Sequence, residues 1–155
     1  MSGHDRDDVP FRLPMSADSL GLTLHALARA HRARLSALLA PHGLHVGQDL
    51  LLLAVWDEPG RRQSALAAHL GIEQPTLTRM VQRLERGGMI ERRPDQHDAR
   101  VSLVFPTPRS RLLESTVRRA WTTLDETMLR ALGPTDAARL QRLVTTVTFG
   151  LAELE

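Results

Sequence analysis

Apolar residues recur three and four positions apart along most of this 155-residue chain, the period of amphipathic helices. The first such stripe, Leu20, Leu24, Leu27, His31, Leu35 and Leu38, predicts a long helix running to about Ala40. Ser16 or Asp18 is its expected cap and Pro41-His42-Gly43 its end. A second helix is expected from roughly Val46 to Glu58, carrying Leu50, Leu51, Leu53, Ala54 and Trp56. After the Asp57-Glu58-Pro59-Gly60 turn, Ser64 is the expected cap of a short helix with Leu66, Ala67 and Leu70 on its apolar face. Gly71 can take the left-handed conformation that closes a helix, and Ile72 follows as an apolar plug. The next helix places Pro75 in its first turn, with Glu73 or Gln74 as cap, and buries Leu77, Met80, Val81 and Leu84.

At Gly87-Gly88 the period changes. Met89-Ile90 opens one strand, and Val101, Leu103 and Phe105 alternate with Arg100, Ser102 and Val104 as a half-buried second strand. Pro94 to Asp98 forms the hairpin tip between them. Thr107-Pro108 then starts a helix expected to reach Leu132 without interruption, through Leu113, Val117, Ala120, Trp121, Leu124 and Met128. Gly133-Pro134 breaks it, and Thr135 or Asp136 caps a last helix bearing Leu140, Leu143, Val144, Val147, Leu151 and Leu154. The predicted fold is mainly α: a winged helix-turn-helix between N- and C-terminal dimerisation helices. Its expected division is a flexible arm over 1–15, an N-terminal dimerisation helix over 16–45, the winged region over 46–107 and C-terminal dimerisation helices over 108–155. A central module of about fifty residues cannot cover both leucine-rich ends, so a second copy is their expected partner.

A helix-turn-helix sets its second helix into a DNA major groove. Here that helix offers Gln74, Pro75, Thr76, Thr78, Arg79, Gln82 and Arg83 on outward or flanking faces. Glutamine can pair bidentately with adenine and arginine with guanine, while threonine can bond phosphate or touch a thymine methyl. In the wing, Arg92, Arg93 and Arg100 flank a tip containing His97 and Asp98. A guanidinium on a narrow ribbon can reach an A·T-rich minor groove, where the potential is most negative. The competing reading is a solvated hairpin whose charges keep its edge from aggregating. Asp98 could also hold the fork of Arg100 in place.

Charge distribution strengthens the nucleic-acid reading. Arg61 to Arg111 contains ten arginines and five acids, whereas the whole chain is only +2. All twenty basic residues are arginine, with no lysine anywhere, a usage that points first to a GC-rich genome. The absence of cysteine excludes a disulfide scaffold and thiolate chemistry. The polar N-terminal stretch reads as neither a signal nor a transit peptide, and no apolar run is long enough to span a bilayer, so a cytoplasmic protein is expected.

Leu66-Ala67, Gly71-Ile72, Thr78-Arg79, Leu84-Glu85, Gly88-Met89-Ile90, Arg92-Arg93 and Asp98-x-Arg100 stand in register with one known pattern. Together with the element order, they make the chain resemble the MarR family of bacterial transcriptional regulators over nearly its whole length. The run Gly71-Ile72-Glu73-Gln74-Pro75 is especially similar to the SlyA-like branch. The resemblance implies a homodimer on pseudo-palindromic, double-stranded promoter DNA, usually a repressor and often released by an anionic aromatic ligand. It also implies that the positions of Gln74, Thr76, Thr78 and Arg79 meet the major groove and its phosphates. Arg100 would meet the minor groove or order the wing. The chain departs from the pattern twice: Ala99 replaces a frequent second wing arginine, and Phe105-Pro106-Thr107-Pro108-Arg109-Ser110 replaces the usual joint after the wing.

Family ligands sit between the dimer arms and the DNA module, where His31, Arg34, His45 and Trp56 are the candidate lining residues; ordinary interfacial and core roles for His31 and Trp56 compete with this. His42 and His45 alone are too few ligands for a zinc site, so no metal and no cofactor are expected. No nucleophile with a nearby base and no phosphate-cradling loop argues for an enzyme. The remaining rival is a winged-helix adaptor that binds protein and reads no DNA.

Overall fold

The computed structural model describes residues 19–98 and 100–153. The expected arm over 1–15, the cap candidates Ser16 and Asp18, and Ala99 and Leu154 lie outside the described residues. The first helix, α1 (Leu20–Leu39), is capped by Ser19, whose hydroxyl accepts from the Leu22 N–H at 3.4 Å. A short 3-10 turn, Ala40–His42, leads to α2 (Gln48–Asp57).

The helix-turn-helix follows as α3 (Gln63–Leu70) and α4 (Gln74–Arg86). Ser64 is not the cap of α3 but lies within its first turn. The two residues before the helix, Arg61–Arg62, are held as a strand, β1, and this pairing sets where the helix starts. Gly71 ends α3 at φ 62°, a backbone that a side chain would strain. The Ile72 N–H then closes back onto the Ala67 carbonyl at 3.1 Å. Glu73 occupies the N-cap of α4 without a side-chain bond, and Pro75 falls in the first turn. Leu77, Val81 and Leu84 are buried as expected; Met80 is half-buried at the edge of the core.

The wing consists of β2 (Ile90–Pro94) and β3 (Ser102–Pro106), with β3 in the centre of an antiparallel sheet of order β1-β3-β2. The alternation in β3 runs opposite to the sequence reading. Val104 is the fully buried residue, while Leu103 and Phe105 are half-buried on the other face. Register explains this: Val104 pairs with both Arg61 and Arg92 and shares the helix-facing side with Ile90. Helices α2 and α3 pack against β3, a cover that alternation within β3 alone cannot show.

Thr107 caps the next helix by accepting from the Ser110 N–H at 3.2 Å, and its own hydroxyl donates to the Gly88 carbonyl at 2.7 Å. The departure from the usual joint therefore still closes the wing onto the following helix. That helix is not continuous: α5 (Pro108–Arg111) ends before α6 (Glu114–Leu132) begins. Gly133 rather than Thr135 or Asp136 caps α7 (Pro134–Ala152), because the proline takes the first helical position.

The core lies where the C-terminal half of α1 meets α2, the winged module and α6, with Leu39, Leu51, Leu52, Val55, Leu66, Leu77, Val81, Val104 and Val117 fully buried. Two indoles tie it together. Trp56 donates to the Ser110 hydroxyl at 3.2 Å, and Trp121 donates to the buried Asp49 carboxylate at 3.0 Å. The other oxygen of Asp49 accepts the N–H of Gly47 at 2.7 Å, holding that glycine at φ 100° before α2. By contrast, α7 packs along α6 yet has no buried residue.

Candidate nucleic-acid interface

Burial of Leu77, Val81 and Leu84 fixes the rotation of α4, and the helical period then decides what faces outward. Gln74, Pro75, Thr76, Arg79 and Arg83 are exposed; Thr78 is half-buried and donates its hydroxyl proton to the Gln74 carbonyl at 2.9 Å. The line most directly opposite the core runs Pro75, Arg79, Gln82 and Arg86. Gln82 stands on the outward side as the period predicts, and Arg86, which the sequence reading does not include, is carried to the same face. Among the described residues, no acid forms an ion pair with Arg79, Arg83 or Arg86.

The wing's arginines have different surroundings. Arg92 lies on the helix-facing side of β2, and its guanidinium clasps Glu85 in the last turns of α4 through Nε at 3.1 and 3.0 Å and Nη2 at 2.7 Å. Arg93 points to the opposite side, pairs with Glu91 and stands 4.5 Å over the Phe105 ring. At the tip, Asp95 accepts the His97 N–H at 2.8 Å and meets Arg62 of β1 at 3.3 Å. Asp98 accepts the backbone N–H of Arg100 at 3.0 Å, so it shapes the turn and does not grip the guanidinium. His97 and Arg100 are exposed, and no ion pair engages Arg100 among the described residues. Arg109 closes the far end of α4, donating to the Gly87 carbonyl at 3.1 Å.

These pairings shift several carboxyls in one direction. The Arg92 hydrogen bonds hold Glu85 below the usual carboxylate range, and Arg61 does the same for Glu58. The His97 N–H, aided by Arg62, lowers Asp95; Arg111 and then Arg118 lower Glu114. A carboxyl depressed in the folded state stabilises it above the unfolded value and loses that contribution as pH falls through the folded one. The melting temperature is therefore expected to be level from pH 7 to about 5 and to fall below about pH 4, as read by circular dichroism in matched salt. A decline already complete at pH 5 would contradict these pairings.

The four candidate ligand-lining residues do not converge. Trp56 is core, 3% exposed, with its indole N–H already engaged inside. His31 sets its ring 5.5 Å from that of Trp121 and borders an apolar groove of about 600 Å³ between α1 and α7. His45 borders a different cleft of about 560 Å³, together with Arg29, Arg32 and Ser36. Arg34 is exposed and lines neither cavity. Among the described residues, no three His, Cys, Asp or Glu side chains gather to hold a metal, and no helix is long and apolar enough to cross a membrane.

Comparison with known proteins follows this geometry. The MarR family model matches residues 45–102, which cover α2, the helix-turn-helix and the wing tip. The HTH-type transcriptional regulator TtmR of Methylorubrum extorquens (strain PA1) is 36% identical over 115 residues, 74% of this chain and 56% of TtmR. The chain thus spans little more than half the length of that relative. Among solved structures, the transcriptional repressor CouR bound to a 23-mer DNA duplex is similar with a TM-score of 0.75 and 26% identity, over 89% of this chain and 99% of CouR. The MepR–DNA complex of S. aureus shares the fold, with a TM-score of 0.81 at 16% identity over 85% of this chain and 98% of MepR.

Proposed function

We propose that this chain is a member of the MarR family, whose model matches residues 45–102, and that it is a sequence-specific transcriptional regulator that grips a pseudo-palindromic promoter site as a homodimer. The observation that carries this reading is the outer face of α4, where Arg79 and Arg83 stand exposed with no acid paired to them among the described residues, beside a wing whose Arg100 is equally open. Positive groups kept free of internal acids suit phosphates and base edges. CouR, similar over nearly its whole length, is held on duplex DNA, which supports the same partner here. In this reading Gln74, Pro75, Thr76, Thr78, Arg79 and Arg83 meet the major groove, and Arg93, His97, Asp98 and Arg100 belong to the wing's approach to the neighbouring minor groove.

The open stripe along α7 and the groove it forms with α1 support pairing with a second copy. A two-fold dimer would set its two α4 helices about one DNA turn apart. Repression relieved by a small anionic aromatic compound completes the proposal. Of the cavities, the cleft at His45 with Arg29 and Arg32 has the chemistry for a carboxylate.

Fluorescence anisotropy with duplex from upstream of the protein's own gene, against scrambled duplex and over a salt series, tests this. Selective binding that weakens steeply with salt is the expected result. Arg79→Ala should cost roughly 1–3 kcal/mol and relax preference at one site position. Arg100→Ala should weaken binding most on sites with A·T-rich flanks. Variants that bind like the parent would overturn the docking, and a parent that binds no duplex at any salt would favour a protein-binding adaptor.

A further inference from the structure

Arg92 and Arg93 are neighbours in sequence, yet the pleat of β2 sends them to opposite faces. Arg92 emerges on the side of Ile90 and Val104, both buried, so its guanidinium can only run along the edge of the core. There it meets Glu85, which the helical period places on the flank of α4 between the buried stripe and the outward line of Pro75, Arg79, Gln82 and Arg86. The contact is two-pronged, with both carboxylate oxygens engaged and three distances between 2.7 and 3.1 Å. A fork-to-carboxylate pair of this kind fixes direction as well as distance. It joins, at their exposed edge, the two elements that must address adjacent grooves of a duplex, beyond the Gly87-Gly88 turn and the packing of Leu84 and Ile90 in the core.

We propose that the Glu85–Arg92 pair is a bracket that sets the angle of the wing to α4, and that Arg92 therefore acts on DNA as a positioning residue through Glu85, not as a phosphate contact. The proposal rests on the duplex-binding reading above. A direct contact and a bracket make opposite demands on charge. A phosphate contact needs a positive group at position 92 and is indifferent to position 85. A bracket needs opposite charges at the two positions and is indifferent to which carries which.

The test compares the parent with E85R, R92E and the exchanged pair E85R/R92E, using the same duplex and salt series. Each single reversal is expected to weaken binding by roughly tenfold, and the exchanged pair to return to within about threefold of the parent with the parent's salt slope. Backbone amide exchange of the β2–β3 ladder in the free protein supplies a readout that needs no DNA. It should quicken in each single variant and slow again in the exchanged pair. If R92E and E85R/R92E are equally weak while E85R binds as well as the parent or better, Arg92 is a contact and the bracket is overturned. Should either reversal fail to fold, E85Q, R92Q and their double replace the set, and strictly additive losses in binding overturn the proposal. A parent that binds no duplex removes the regulator reading; the bracket then stands or falls on the exchange data, where an unchanged ladder in R92E overturns it.

Discussion

Leu143→Asp combined with Val147→Asp is expected to convert the protein from dimer to monomer and to lower its affinity for duplex by at least about a hundredfold. Both residues lie on α7, 55% and 39% exposed in the single chain, and both border the apolar groove shared with Leu20, Leu24 and Leu27 of α1. Because neither belongs to the core, the charges should leave the winged module folded. They would desolvate two carboxylates in any interface that closes over the stripe. The large effect on DNA comes from geometry: a monomer presents one α4 to a two-part site and loses the gain of holding both halves at once. Size-exclusion chromatography with light scattering reads the first effect and anisotropy the second. A double variant that remains dimeric would place the pairing surface elsewhere, and a parent that is monomeric at micromolar concentration would remove the pairing from the proposal.

Asp49→Ala is expected to lower stability by about 3 kcal/mol, seen as a shift in the urea midpoint at unchanged slope. The carboxylate is fully buried and receives two donors, the Gly47 N–H at 2.7 Å and the Trp121 indole N–H at 3.0 Å. Alanine leaves both without a partner, and each buried donor so orphaned costs roughly 1–3 kcal/mol. Asp49→Asn should fall between parent and Asp49→Ala, since one amide oxygen can serve only one of the two positions while the amide nitrogen confronts the other donor. A loss below about 0.5 kcal/mol in the alanine variant would show that the site relaxes around the gap and that these bonds do not secure the start of α2.

What could be read from the sequence was set by local physics. Gly71 with Ile72, Pro75 in the first turn of α4 and the Leu77–Val81–Leu84 stripe all depend on neighbours three or four residues away, and all stand in the structure as expected. Features decided by distant chain were harder to see. Val104 takes the buried phase in β3 because α2 and α3 pack on that face, while β1, more than forty residues earlier, extends the sheet beside it. Ser64 loses its cap role to the pairing of β1. Asp49 reads as an ordinary first-turn acid until the fold brings Trp121 to it from 72 residues away. Of the site, the outward face of α4 followed from periodicity, whereas the split between Arg92 and Arg93 required knowing which side of β2 faces the helices. Trp56 looked eligible for a ligand site only because residue type says nothing about an indole N–H already engaged by Ser110.

The 19-residue α7 buries no side chain within its own chain. Helical stability in proteins comes mostly from packing of an amphipathic face, so the order of α7 rests on α6 and on whatever covers its open stripe. With a second copy as that cover, protein abundance becomes a folding variable. Dilution below the dimer's dissociation constant would free the last helix to unwind and expose it to proteases, while the disc of core around Val55 and Leu77 stayed closed. Copies present below that concentration would be open to removal at their own C-terminal helix, while copies above it would shield one another, a floor beneath the working level set by mass action alone.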